Sequence, residues 1–208
     1  DSNFPVDFGM IRTPASTNHW LGMTRLTGIV NWEMNSSRSG EDYASYTFDS
    51  TKGFIGGDWS SDYQTWMWKR HAGFDIVTYR GDEVAGREIP HSLNKIPEMM
   101  WVKYRNDSKD WRVYHKGMNG GTNPEQYGAV LNDDALAGSG AGYWDNTAPT
   151  ATHFTVGDNN NVNEASGLYM AMLFATVPKI SKVGYHTCGS GNTTLSMDFS
   201  PRFLLLKN

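Results

Sequence analysis

Two tryptophans lie beside turn-forming residues and are candidates for binding a ligand. Trp144 is followed directly by Asp145 and Asn146, and Trp59 follows a Gly-Gly-Asp run. An exposed indole ring can stack on the apolar face of a sugar, while neighbouring carboxylate and amide groups bind its hydroxyls. This pattern predicts a carbohydrate contact at Trp59, Trp144, Asp145 and Asn146, with no ligand contact as the alternative.

Paired carboxylates are the second place where the sequence could do chemistry. Acidic residues are adjacent at positions 41–42, 82–83 and 133–134. Consecutive residues of a strand point to opposite faces, whereas retaining glycoside hydrolysis needs two carboxyl groups about 5 Å apart on either side of one bond. We therefore interpret all three pairs as solvated turn carboxylates and predict no catalytic residue.

Metal binding is not favoured by the spacing of the possible ligands. The six histidines show none of the short spacings typical of a metal site, and His91 and His115 are predicted to be structural hydrogen-bonding residues. Residues 158–164 are rich in the oxygen ligands that calcium prefers, but they lack the central glycine and distant glutamate of an EF-hand loop. A turn is the preferred interpretation there, with calcium as the alternative. The single cysteine, Cys188, excludes a disulfide within the chain, and we predict no metal and no cofactor.

The composition indicates short strands joined by tight turns. The 208 residues include 22 glycines, 13% aromatic residues and only 19% charged residues, which suits strands and turns better than amphipathic helices. The net charge of −4 removes the counterion release that drives binding to nucleic acid, so no nucleic-acid partner is predicted. No apolar run approaches the roughly 20 residues of a membrane span, so no membrane insertion is predicted.

A proline-centred motif occurs three times along the chain. It begins at Pro5, Pro97 and Pro201, with the last occurrence cut short by the end of the sequence. The interval of roughly 100 residues is the size of a small domain, not of a solenoid repeat. Trp20 and Trp111 recur at matching places after the first two prolines. Both are predicted to pack in the core, because each copy needs a side chain of the same size to fill its interior.

Most recurring segments alternate between apolar and mixed residues. Residues 74–79 and 100–105 do so clearly, as half-buried strands require. Stretches rich in Gly, Asn and Ser separate them, and no window sustains the apolar spacing of an amphipathic helix. Many short strands at intervals of about 8–12 residues predict an all-β fold built as an antiparallel β-sandwich.

Several segments taken together resemble a known class of repeat. They are residues 73–81, 97–103 and 111–115, the Trp-Asp-Asn-Thr-Ala-Pro-Thr run at 144–150, and the closing strand at 168–175. In this order they resemble the concanavalin A-like (LamG-like) jelly-roll repeats of tail-fibre and other virion proteins of bacteriophages, especially marine ones. The match covers about 74–176 well and 1–70 more loosely, since the first copy lacks the 144–150 run.

The resemblance and the repeat together divide the chain into three parts. Residues 1–72 are expected to be a first jelly-roll copy that lacks its initial strand, 73–176 a complete copy, and 177–208 the opening strands of a further copy. An incomplete sandwich leaves an open sheet edge that a folded protein must cover. We therefore expect contact between the two ends of the chain or between neighbouring chains.

Three hypotheses for function follow. The resemblance implies a non-enzymatic virion surface protein, part of a tail fibre or related appendage. Its partners would be other virion subunits or copies of itself, with host-surface glycans as a candidate ligand. The alternative is a secreted carbohydrate-binding lectin or adhesin. A glycoside hydrolase ranks last, because the Glu-x-Asp-x-x-Glu strand of glucanases with this broad fold is absent.

Overall fold

The computed structural model describes residues 2–15, 17–42, 46–54, 56, 62–135, 137–187 and 189–207. The strands formed within them are β1 (Phe8–Arg12), β2 (Leu21–Thr24), β3 (Val30–Glu33), β4 (Glu41–Asp42), β5 (Gln64–Trp68), β6 (Phe74–Arg80), β7 (Arg87–Pro90), β8 (Met99–Tyr104), β9 (Arg112–His115), β10 (Tyr127–Val130), β11 (Gly138–Ser139), β12 (His153–Val156) and β13 (Leu168–Phe174). The helices are one-turn pieces, α1 (Ala141–Trp144) and α2 (Asn160–Asn163), with three short 3₁₀ turns. No helix in the described residues has the length and apolar character needed to cross a membrane.

These strands form two large antiparallel sheets and one small one. The N-terminal sheet has the strand order β4-β3-β2-β1-β5, and the central sheet has the order β11-β10-β9-β8-β13-β6. Strands β7 and β12 form a separate antiparallel pair. The prediction of an all-β antiparallel sandwich is confirmed.

The two large sheets pack face to face around an inner core. Phe8 and Met10 of the N-terminal sheet share one buried cluster with Ile76, Trp101 and Met172 of the central sheet. Because this cluster draws on both sides of position 72, residues 1–72 and 73–176 share a core and do not form separately packed bodies. The number of jelly-roll repeats stays a prediction.

Each large sheet is also covered on its outer face. The central sheet carries a second core formed with the β7–β12 pair, α1 and α2, in which Phe154 and Val162 are completely buried. The N-terminal sheet is covered by residues 46–54. Gly9 makes room for this cover, because a Cβ there would lie 2.8 Å from Cε1 of Phe54. The layers are therefore stacked in this order: residues 46–54, the N-terminal sheet, the central sheet, and the layer that contains the β7–β12 pair.

The strand orders of the two large sheets match. Reading across each sheet, β4-β3-β2-β1-β5 corresponds to β11-β10-β9-β8-β13, and only the central sheet continues with a sixth strand, β6. Trp20 directly precedes β2, as Trp111 directly precedes β9. The recurrence found in the sequence is therefore also a recurrence of topology.

Cation–tryptophan contacts recur at corresponding places in the two sheets. The Arg12 guanidinium lies 4.9 Å from the ring centroid of Trp20, and the Lys103 ammonium lies 6.0 Å from that of Trp111. Lys103 is completely buried, and its Nζ donates to the carbonyl oxygens of Ser37 at 2.8 Å and Lys109 at 2.5 Å. Burial lowers the pKa of Lys103 to about 8, while the negative charges of Asp110 and Asp107 oppose this shift, and the two carbonyl oxygens replace water around the ammonium.

The last part of the chain does not continue the sheets. Among the described residues from 177 onward, the only sheet-type contact is an isolated bridge between Val177 and Ser181. The described residues of 177–208 therefore form no strand, and the further copy expected there stays a prediction.

Candidate functional site

Trp144 does not present its ring to solvent. Its side chain is 1% exposed and lies in the core beneath the central sheet. The indole Nε1 donates to the Tyr127 carbonyl at 2.9 Å, and the ring meets Tyr114 edge to face at 6.0 Å. The prediction of an exposed sugar-binding ring at Trp144 is wrong, because a long-range backbone acceptor and an aromatic partner draw the indole inward. Trp59 lies outside the described residues.

Asp145 and Asn146 shape the turn that follows α1. Both have φ near +50°, a left-handed conformation in which Asn and Asp are enriched. The turn closes with a hydrogen bond from the Thr147 amide to the Trp144 carbonyl at 3.0 Å. Asp145 and Asn146 therefore lie beside Trp144, but its buried ring offers no surface on which a sugar could stack.

The histidines predicted to be structural do bind the backbone. His91 Nδ1 accepts from the Leu93 amide at 3.3 Å, and its Nε2 lies 3.2 Å from the Thr150 carbonyl. His115 Nδ1 accepts from the Gly117 amide at 3.0 Å. Burial lowers the pKa of both imidazoles. The structural interpretation is confirmed for both.

The asparagine-rich segment at 158–164 uses its side chains inside the fold. Asn159 caps α2 by accepting from the Asn161 amide at 2.9 Å. Asn163 is completely buried, and its Nδ2 donates to the Gly157 and Val84 carbonyls at 2.9 and 3.0 Å. The segment is a helical turn held by capping, which agrees with the preferred interpretation.

A polar depression lies on the outer face of the N-terminal sheet, where β3 meets β4. Its volume is about 60 Å³ and its lining comprises Leu21, Asn31, Glu33, Arg38, Ser39 and Glu41. Arg38 Nη1 lies 3.4 Å from Glu33 Oε1 and 3.9 Å from Glu41 Oε1. Asn31 is 3% exposed, and its Nδ2 has no hydrogen-bond partner among the described residues. The depression therefore offers carboxylate acceptors, a guanidinium and an unused amide donor.

Sequence reasoning missed the polar depression because it compared only adjacent carboxylates. Glu41 pairs with Asn31 across the β3–β4 ladder, so register brings Glu33 and Glu41 to one face although eight positions separate them. Glu33 is further held by Ser36, whose Oγ donates to Oε2 at 2.6 Å. The guanidinium of Arg38 contacts both carboxylates and occupies the space between them, where the glycosidic bond would lie in a glycosidase.

The edge of the N-terminal sheet at β5 is open. β5 pairs with β1 along its whole length, and no described strand pairs with its other side. Its inward-facing rings, Trp66 and Trp68, are half-buried. Phe203, from the end of the chain, packs edge-on against them at 5.9 and 5.3 Å. The C-terminal part of the chain thus contacts the N-terminal sheet, through a side chain and not through a strand.

The C-terminal tail, of which residues 177–187 and 189–207 are described, runs over the surface after β13. Glu98 anchors its start by accepting from the Thr176 amide at 2.7 Å. Tyr185 lies against Gly117, where a Cβ would collide with the ring. Lys207 donates to the Asp133 carbonyl at 2.5 Å. Large apolar side chains nevertheless remain exposed along the tail, namely Ile180, Tyr185, Leu195, Leu204, Leu205 and Leu206.

A family model described as a domain of unknown function (DUF7483) matches residues 64–208. The chain belongs to this family. The matched region begins at the first residue of β5 and continues through the tail, so the family unit includes both the open strand and the unpaired segment. No curated protein and no solved structure matches the chain.

Proposed function

We propose that this protein is a non-enzymatic structural subunit of a virion surface appendage, such as a bacteriophage tail fibre, and that it assembles with other subunits through its sheet edges. The observation that carries the proposal is the open edge of β5 in a sheet whose counterpart has one strand more. An unpaired strand edge is a template for pairing with another chain.

The character of the tail supports an assembly role. Its apolar residues include three consecutive leucines, of which Leu206 is 72% exposed. Contiguous apolar surface of this kind is typical of interaction sites. The proposed location, an appendage on the virion surface, rests on the resemblance of residues 74–176 to jelly-roll repeats of virion proteins. These features fit an architectural subunit better than a catalyst.

The assembly role is tested by the mass of the full chain in solution. Light scattering coupled to gel filtration is expected to give a multiple of the 23.3 kDa chain mass, increasing with protein concentration as mass action requires. Far-UV circular dichroism on the same samples checks that the sheets are folded. A folded protein that stays at 23.3 kDa across the concentration range would overturn the proposal.

A second candidate, a glycan-binding lectin, is favoured by the polar depression. The unused amide of Asn31 and the carboxylates of Glu33 and Glu41 could hydrogen-bond sugar hydroxyls, with Arg38 as a further donor. Buried polar groups are normally paired. An unpaired donor beside a depression therefore fits a polar ligand in that place.

A glycan array decides this second candidate. The wild-type chain is expected to bind one class of glycan, and Arg38→Ala is expected to lower that binding about tenfold, the effect of losing one charge-assisted hydrogen bond. Arg80→Ala, on β6 of the other large sheet, is the matched control and should bind as wild type does. No wild-type signal on the array, or an equal loss in both variants, rejects the lectin.

A further inference from the structure

The position next to β5 is occupied in the corresponding sheet. In the central sheet, β13 corresponds to β5 and pairs with β8 on one side and β6 on the other. In the N-terminal sheet, β1 is the one described strand that pairs with β5. The missing strand is therefore the counterpart of β6, and the geometry of the β6–β13 pair specifies how that strand would lie.

The tail contains the sequence counterpart of β6. Phe74 begins β6 six positions after β5 ends at Trp68, and Ile180 comes six positions after β13 ends at Phe174. From that point residues 180–186 match residues 74–80 at Val183 for Val77 and at Tyr185 for Tyr79, whereas Lys182 has the place of Ile76. The chain thus carries the strand that its N-terminal sheet lacks.

A stacked tyrosine pair identifies the register. Tyr79 of β6 and Tyr169 of β13 are directly opposite and stack at 5.2 Å with nearly parallel rings. Tyr63 comes five positions before the end of β5, as Tyr169 does before the end of β13. Tyr185 comes eleven positions after the end of β13, as Tyr79 does after the end of β5. The counterpart residues are thus both tyrosines, and they are 38% and 57% exposed.

The tail segment is available for pairing. Among the described residues, backbone–backbone hydrogen bonds within the tail end at Ser181. The side chains of Ile180, Lys182 and Tyr185 are exposed. Beyond Ser181, its contacts with its own chain each involve a side chain. They include the Val183 amide on Thr176 Oγ1 at 3.1 Å, Lys182 Nζ on the Ser196 carbonyl at 2.8 Å and the Tyr185 ring on Gly117, while nearer the start the Lys179 amide donates to Asp198 Oδ2 at 2.9 Å and Ser181 Oγ to the Ala175 carbonyl at 2.6 Å. Exchange to a sheet edge would satisfy backbone groups that are now left to solvent.

We propose that residues 179–186 of one copy pair antiparallel with the open edge of β5 in a second copy, as β6 pairs with β13, so that Tyr185 stacks on Tyr63. This inference rests on the proposed assembly function and names its partner, another copy of the chain. The contact joins the tail of one subunit to the first sheet of the next. Repeated from copy to copy, this contact produces an open filament or a closed ring, and reciprocal exchange between two copies gives the smallest closed form, a domain-swapped dimer.

The register predicts one specific disulfide. Val77 lies opposite Ala171 in the β6–β13 pair, so Val183 of one copy should lie opposite Thr65 of its neighbour. One tagged copy carries Thr65→Cys and a differently tagged copy carries Val183→Cys, both with Cys188→Ser. The two are mixed and oxidised, and the heterodimer that carries both tags is quantified on a non-reducing gel. A mixture of Thr65→Cys with Gly189→Cys is the matched control, because Gly189 lies in the exposed tail beyond the pairing segment.

The outcomes separate this inference from the proposed function. A doubly tagged, disulfide-linked product at least tenfold above the Gly189→Cys control supports strand exchange. An oligomeric mass with no product above that control overturns strand exchange and leaves assembly by another surface. A monomeric mass for the folded wild type overturns both. The denaturation midpoint of each cysteine variant verifies that it is folded before mixing.

Discussion

Replacing Asp75 with alanine is expected to lower the free energy of unfolding by about 3–5 kcal/mol, as for other broken buried ion pairs. Asp75 is completely buried at the start of β6. Its Oδ1 accepts from Arg70 Nε at 2.6 Å and from the Ile76 amide at 2.8 Å. Its Oδ2 accepts from the amide and the hydroxyl of Ser92 at 2.7 and 3.1 Å. Removing the carboxylate leaves all four donors without this acceptor.

The Asp75 cluster also joins the two large sheets. Arg70 lies in the connection between β5 and β6, and its amide donates to Asp7 Oδ2 at 2.9 Å. The loss should therefore be global and appear as a lower urea midpoint with an unchanged slope. Asp134→Ala is the control, an exposed carboxylate whose removal should cost within about 0.5 kcal/mol. A loss for Asp75→Ala no larger than that of the control contradicts the prediction.

The same carboxylate makes stability sensitive to acid. Burial by itself raises the pKa of Asp75, but the hydrogen bond from Arg70, the backbone amides of Ser92 and Ile76, and the charge of Arg70 together hold it below its usual value. As the pH falls, the unfolded chain therefore takes up this proton first. The stability advantage of wild type over Asp75→Asn should be full near neutral pH and shrink below about pH 4. Urea titrations of both proteins between pH 7 and pH 3 measure it.

Replacing Trp111 with alanine is expected to lower the free energy of unfolding by about 3–5 kcal/mol, as for other buried aromatic truncations. The Trp111 ring is completely buried between the two large sheets. Its Nε1 donates to the Glu33 carbonyl on the opposite sheet at 3.1 Å. The Lys103 ammonium lies above the ring. Truncation would open a cavity, remove the indole donor from the Glu33 carbonyl and weaken the environment of a buried cation.

Trp20→Ala is the matched control for Trp111→Ala, because Trp20 has the same place in the N-terminal sheet. Trp20 is only half-buried, with its ring 5.1 Å from Trp66 and beside Arg12. Its truncation should cost about 1–2 kcal/mol, in proportion to the smaller apolar area that it buries. Chemical denaturation of both variants provides the comparison. Equal losses would show that the two sites are equivalent in packing, contrary to the structure.

Local pattern was sufficient for the elements of the fold. The alternation at 74–79 and 100–105 predicted β6 and β8, because a strand needs only one apolar face and a period of two. The recurrence of Trp20 and Trp111 predicted core packing, and Trp111 is indeed fully buried. Trp20 is half-buried because it sits nearer the open edge, at Trp66. Whether a residue lies near the edge of a sheet depends on the order of the strands. Apolar alternation along the sequence carries no information about that order.

The candidate ligand residues show which features could not be predicted from neighbouring residues in the sequence. Asp145 and Asn146 form a turn, as their types indicate. The direction of the Trp144 indole depends on the Tyr127 carbonyl, which is distant in sequence. Glu33 and Glu41 meet at Arg38 only through the register of β3 and β4. A side chain's exposure depends on the whole packed layer above it, so neighbours in sequence do not specify it.

The sequence alone determined that the chain is all-β and that a proline-centred motif recurs at intervals of about domain length. Those properties follow from the local apolar periodicity and from the recurrence of the motif at Pro5, Pro97 and Pro201. Only the tertiary structure decided that residues on both sides of position 72 share one core, that no described strand covers the outer edge of β5, and that the described residues of the tail form no strand. The reason is that pairing and layer packing join residues far apart in the chain, and their free energy depends on the surfaces brought together.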